Sequence, residues 1–135
     1  MFQLSKKVEY ALMALRHMTA GGKGKIFTTK DISQKNNIPY DLLAKIMQVL
    51  ARKGFIASHQ GVHGGYTLLQ DPSMVKVSSI IEAIEGRSSV KILQCEATTP
   101  ENCTIHENCT IKDPLMKLQG DINQIFETIT IMQLL

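Results

Sequence analysis

Between Thr28 and Leu69 two helical segments are followed by a glycine-rich turn between short strands, and that succession restricts the possible folds more than any other feature of the chain. Thr28 or Thr29 can cap a short helix running through Asp31, Ile32 and Lys35. Asn36 and Asn37 break it, and Pro39 stands near the first turn of the next helix. That helix is expected from about Tyr40 to Lys53. Leu43, Ile46, Met47 and Leu50 form its inner stripe, and Gly54 stops it. Two short strands follow. Phe55 to His59 and Tyr66 to Leu69 read as short strands around the glycine-rich turn Gln60–Gly65. Two short helices joined by a tight turn and followed by a hairpin describe a winged helix-turn-helix.

The flanking segments add three elements. Ser5 to about Thr19 reads as an amphipathic helix, with Val8, Ala11, Leu12, Leu15 and Met18 on one side. Gly21, Gly22 and Gly24 end it. Val77 to Glu85 reads as another helix, with Ile80, Ile81 and Ile84 inward and Gly86 at its end. Asp113-Pro114 is a helix start. From there Leu115, Leu118, Ile122, Ile125, Ile129 and Met132 follow a heptad seam through the whole segment. The chain supplies no second long helix of matching pattern, so the seam is expected to meet a partner copy. The expected fold is mainly α with a small β-hairpin. It divides into a winged helix-turn-helix at 1–86, a cysteine sensor loop at 87–112 and a long dimerisation helix at 113–135.

Charge is uneven along the chain. Residues 1–60 carry ten Lys/Arg and three Asp/Glu, a net +7, whereas residues 61–135 carry five and nine, a net −4. Charge alone fits an uneven solvated surface. Its coincidence with the helix-turn-helix pattern points to DNA as the partner. The second helix of the pair would enter the major groove. Opposite its inner stripe it offers Tyr40, Asp41, Ala44, Lys45 and Gln48, four of which can hydrogen-bond to bases or phosphates. Thr28, Thr29 and Lys30 open the preceding helix, where backbone N–H groups favour a phosphate. Gln60 and His63 are the polar residues of a wing tip small enough for a minor groove.

The first residues lack a long apolar run, and nothing is long enough to span a bilayer, so a cytoplasmic protein is expected. The four histidines are scattered, and no Ser/His/Asp or phosphate-loop pattern occurs, so an enzyme is not expected. Cys95, Cys103 and Cys109 sit in one irregular, mostly polar stretch. In a reducing compartment an odd, clustered set suggests thiolate ligands for an iron-sulfur cluster or zinc, not a disulfide framework. The spacing leaves the metal open. His106, Glu101 and Glu107 are local candidates for a fourth ligand.

Several pieces in order resemble the Rrf2 family of bacterial transcription regulators. They are LSKKVEYALMAL, TTKDISQKNNIPYDLLAKIMQVLARKGFIAS, GVHGGYTLLQDP, VSSIIEAIEG, the three-cysteine loop and the long final helix. The resemblance spans essentially the whole chain. It implies a winged helix-turn-helix homodimer, joined through the C-terminal helix, that binds a double-stranded DNA operator as a repressor. Cluster-binding members hold a 2Fe-2S or 4Fe-4S centre on three loop cysteines, which by position are Cys95, Cys103 and Cys109. Some members add a histidine three residues after the last cysteine, and Lys112 stands there instead. Others add an acidic residue from the partner subunit, just before the Tyr-Ala-Leu of the first helix. Glu9 holds that position and is the implied fourth ligand, with His106 second.

The chain departs from the family pattern in three places. Its first cysteine gap is longer than is common. His59 and Gln60 replace the arginine many members carry in the wing, and Ala44 replaces a glutamate of some. The resemblance implies sensing of redox state, nitric oxide or iron-sulfur status. A cluster-free regulator answering a small molecule, a partner protein or thiol oxidation is the alternative, as is a zinc-stabilised one.

Overall fold

The computed structural model describes residues 3–87 and 109–135. Five α-helices, a two-stranded hairpin and a terminal 3-10 helix are formed by these residues. They are α1 (Lys6–Gly21), α2 (Thr29–Asn36), α3 (Tyr40–Arg52), β1 (Ile56–His59), β2 (Gly65–Leu68), α4 (Val77–Glu85), α5 (Lys112–Thr128) and the 3-10 turn Ile131–Leu134. Cys95, Cys103, His106, Glu101 and Glu107 lie outside the described residues.

The core is built around α1, which packs on α3, α4 and the 3-10 helix. Ala11 and Ala14 are fully buried, and their small side chains let the neighbouring elements approach α1 closely. Leu15 and Met18 fill the space between them and the α3 stripe. All four expected stripe residues of α3, Leu43, Ile46, Met47 and Leu50, are buried. A smaller cluster joins Val8 of α1 to Val77 and Ile81 of α4, with Phe126 and Ile129 packed against it.

β1 and β2 pair antiparallel, from Ile56↔Leu68 to His59↔Gly65. Phe27, just before α2, adds a bridge to the hairpin: Phe27 N–H donates to the Tyr66 carbonyl at 2.8 Å, and Tyr66 N–H donates back at 2.7 Å. The wing is thereby fixed to the entry of the helix-turn-helix. Gly65 sits at this crossing, and a Cβ there would lie 2.5 Å from the Phe27 carbonyl oxygen. Only glycine fits that approach.

The last segment differs from the heptad reading at both ends. Helix α5 begins at Lys112, with Asp113 inside its first turn and not at the cap. It stops at Thr128, so Ile129 and Met132 do not continue a helical seam. Ile129 is extended, and Thr130 forms a bridge with Lys76. Val77 N–H donates to the Ile129 carbonyl at 2.9 Å, and Ile131 N–H donates to the Val75 carbonyl at 2.9 Å. The physical reason lies in Thr128-Ile129-Thr130-Ile131. Four β-branched residues favour extended backbone, and their alternation puts Ile131 into the core at 1% exposure.

Candidate DNA interface and cysteine segment

The helix-turn-helix is held by local bonds that its sequence supplies. The Thr28 side chain accepts from Asp31 N–H at 3.1 Å and caps α2. At the other end Asn37 takes the left-handed conformation (φ 54°, ψ 40°), which asparagine tolerates better than most residues. The buried Ser33 hydroxyl donates to the Ile38 carbonyl at 2.6 Å, and Ile38 N–H donates to the Ser33 carbonyl at 3.1 Å, closing the turn. Asn36 donates to the Ile32 carbonyl at 2.9 Å and contacts Nδ1 of His17 on α1 at 3.2 Å. That contact ties the end of α2 to α1. Partial burial lowers the His17 pKa below its ordinary value; Lys35 and Lys25 lower it further, and Asp31 opposes them.

With the α3 stripe buried, its opposite face is free for a ligand. Asp41, Lys45 and Gln48 are exposed there, Tyr40 flanks them, and Ala44 is half-buried. The same face continues to Arg52, which is exposed one helical turn beyond Gln48. The sequence reading stopped before Arg52, although the spacing from Asp41 through Lys45 and Gln48 leads to it. At the start of α2, Thr28 and Lys30 are exposed and Thr29 is half-buried. The Thr28 oxygen already accepts the capping bond, so towards a phosphate its hydroxyl acts as a donor. Asp31 in this first turn lies 4.0 Å from Lys35, which offsets its charge there.

The wing is braced across its strands by a 2.9 Å bond between His59 Nε2 and the Thr67 hydroxyl. Gln60 and His63 are exposed at its tip, and Gly64 N–H donates to the Gly61 carbonyl at 3.0 Å. Val62 beside them is 98% exposed, an apolar residue at the tip outside the polar set expected from sequence. Among the described residues the only ion pairs are Lys6–Glu9 and Lys35–Asp31. Lys30, Lys45 and Arg52 are therefore not neutralised by direct pairing, and a phosphate would meet little competition there.

Of the residues implied as cluster ligands, two are described. Cys109 is half-buried just before α5. Glu9 is half-buried in the first turn of α1, where Lys6 Nζ pairs with its Oε2 at 2.7 Å. Ser5 caps α1 by accepting from Val8 N–H at 3.3 Å, and it also donates to the carboxylate of Glu85, the last residue of α4. The chain thus leaves α4 from beside the turn that holds Glu9. Among the described residues no three His, Cys, Asp or Glu side chains gather as a metal site. Thiolates are the donors that iron-sulfur chemistry takes by type, whereas a carboxylate such as that of Glu9 would be a harder ligand.

A capped two-helix unit, an exposed polar helix face above a buried stripe, and a bridged wing define a winged helix-turn-helix protein. The family model described as "Iron-dependent Transcriptional regulator" matches residues 4–135, and the chain belongs to this Rrf2 family. It is a transcription regulator and not an enzyme. It is 23% identical over 132 residues to the HTH-type transcriptional regulator NsrR of Shouchella clausii, covering 98% of this chain and 87% of that one. It is 26% identical over 132 residues to IscR of Yersinia enterocolitica, covering 98% and 78%. Among solved structures, the cysteine regulator CymR of B. subtilis superposes with a TM-score of 0.78 at 22% identity, covering 99% of this chain and 96% of that one. A transcriptional regulator from Listeria innocua superposes with a TM-score of 0.82 at 20% identity, covering 98% and 85%. Among the described residues no helix is long and apolar enough to cross a membrane.

Proposed function

We propose that the chain acts as a homodimeric repressor whose grip on a double-stranded operator is set by an iron-sulfur cluster on Cys95, Cys103, Cys109 and Glu9. The observation that carries the DNA reading is the outer face of α3. Asp41, Lys45, Gln48 and Arg52 project from a helix whose other side is fully committed to the core. Thr28, Thr29 and Lys30 would receive a backbone phosphate, and Tyr40 would flank the groove. Gln60 and His63 would reach the adjacent minor groove. The apolar ridge of α5 supports the homodimer: Leu118 is 48% exposed and Ile125 is 53% exposed.

The family resemblance, the family model's description as iron-dependent and the clustering of three cysteines in one polar stretch support the cluster. When bound, it would supply a centre reactive towards oxidants and nitric oxide. The chain's own part is to bind it and to couple it to DNA. Glu9 would leave Lys6 and tie α1 of one subunit to the cysteine segment of the other. Release of Glu9 would then alter the tilt of two α3 helices that must match half-sites about one helical turn apart.

A second reading is a cluster-free regulator in which the thiols themselves are oxidised. The fold it shares with CymR, described as a global cysteine regulator, favours it. A visible spectrum with iron and sulfide analysis on anaerobically purified protein separates the two. Absorbance abolished by substituting any of the three cysteines is the expected result. A colourless, iron-free protein after reconstitution would overturn the cluster and leave thiol chemistry or zinc. Glu9→Ala is expected to shorten the lifetime of the chromophore, and an unchanged spectrum and lifetime would remove Glu9 from the ligand set.

A further inference from the structure

A cleft of about 220 Å³ opens between the end of α1, the base of the wing and the terminal 3-10 helix. Leu68, Leu69, Pro72 and Met132 give it apolar walls. Its polar lining is largely committed elsewhere. The Thr19 hydroxyl donates to the Leu15 carbonyl at 2.7 Å, and the Gln70 amide donates to the Gly54 carbonyl at 2.9 Å. Two opposite charges remain, Lys23 and Asp71, both exposed to solvent.

Asp71 is held in place by Ser73, whose N–H and hydroxyl both donate to Oδ1, at 2.9 and 2.8 Å. Those two bonds lower its pKa, and Lys23 adds a smaller effect in the same direction. Lys23 and Asp71 both line the cleft, yet the two make no ion pair within 4.0 Å among the described residues. The cleft therefore presents an ammonium and a carboxylate, separated, over an apolar wall. A simple anion would be repelled by Asp71, and a simple cation by Lys23. A ligand carrying both charges and a hydrocarbon group satisfies all three features. The volume is below the range of about 300–1,000 Å³ that takes drug-sized molecules, so the ligand is small.

We propose that this cleft binds a free aliphatic α-amino acid. Its ammonium meets Asp71, its carboxylate meets Lys23, and its side chain lies against Leu68, Leu69 and Met132. Leu68 belongs to β2 and pairs with Ile56, so an occupant touches the base of the wing. Met132 belongs to the 3-10 helix, where its N–H donates to the Pro72 carbonyl at 3.2 Å. Occupancy would thus bear on the wing and on the chain end together, independently of the cysteines.

Calorimetric titration of the full chain with L-leucine, L-methionine, N-acetyl-L-leucine and L-leucinamide tests the assignment. One-to-one binding of L-leucine or L-methionine is expected. Each blocked derivative should bind at least about tenfold more weakly, since one charge contact is lost. Lys23→Met and Asp71→Asn should each weaken binding by a similar factor. Asn at 71 keeps an acceptor for Ser73, and thermal melting checks that the turn survives. Leu69→Trp, at an exposed wall position, should block the cleft without touching the core. No saturable heat with either amino acid up to about 10 mM, ten times the millimolar range of weak binding, would overturn the proposal. N-acetyl-L-leucine binding as tightly as L-leucine would also overturn it. So would a Lys23→Met variant that loses only DNA affinity, which would make the rim a phosphate contact.

Discussion

Helices α3 and α5 carry similar amphipathic patterns and come to opposite ends. In α3, Leu43, Ile46, Met47 and Leu50 are all at most 3% exposed. In α5 the only buried residue is Gln119, and the seam residues Leu118 and Ile125 stand about half in solvent. The α3 stripe is wide, because adjacent positions 46 and 47 are both apolar, and it closes against α1 and β1 within the chain. The α5 seam is narrow and flanked by Lys117, Asp121 and Gln124, which the domain beneath does not cover. That helix is instead held at its C-terminal end, where Phe126 and Ile129 pack on the Val8, Val77 and Ile81 cluster. One stripe belongs to folding, and the other is available for association.

Substitutions separate the two helices, and the largest effect belongs to α3. Leu43→Ala should cost about 2–5 kcal/mol of stability, because it removes a fully buried side chain from a closed core. Leu118→Ala should cost well under 1 kcal/mol in the monomer. Chemical denaturation curves at low protein concentration read both, and equal losses would erase the distinction. Next comes association. In the proposed dimer Ile125 would be an interface residue, and Ile125→Glu should weaken association by about 30-fold or more, the free energy of a central interface residue. Sedimentation would show this, and an unchanged dimer would place the interface elsewhere.

The outer face of α3 should respond in DNA binding and not in stability. Lys45→Ala is expected to lower affinity across DNA sequences and to reduce the salt slope by about one ion. An unaltered slope would place Lys45 away from phosphate.

The smallest effect is a pH dependence at the α1–α2 contact. The folded protein holds His17 below its ordinary value of 6.5, chiefly by burial. Below pH 6.5 the unfolded chain therefore binds more protons at this site than the folded one, so stability falls as pH drops from 6.5 through the lower folded value. His17→Asn should flatten the melting temperature between about pH 7 and 5 relative to the parent. A parallel pH profile would show that the Asn36 contact does not depend on the neutral ring.

Much of the DNA-facing half could be read from the chain because its signals are local. Thr28 caps, Asn37 turns, Gly54 stops, and the α3 stripe needs only its own spacing to declare which side is inward. Every DNA-contact candidate from Thr28 to His63 falls on the surface or its margin for the same reason. The Phe27–Tyr66 bridge that fixes the wing had no comparable signal, since it joins backbone groups far apart in sequence.

The end of the chain shows most clearly what local pattern leaves undecided. Ile129 and Met132 satisfy a heptad, while Thr128 to Ile131 satisfy a strand alternation, and both patterns use the same residues. By itself the sequence determined that this stretch carries buried apolar side chains and that a helix precedes it. Only tertiary structure decided where the helix stops. Val75 and Val77 offer backbone partners to Ile131 and Ile129, and the core closes over the Ile131 side chain. Pairing with residues more than fifty positions away outweighs the continuation of one helix, because it satisfies the backbone and buries the isoleucine at once.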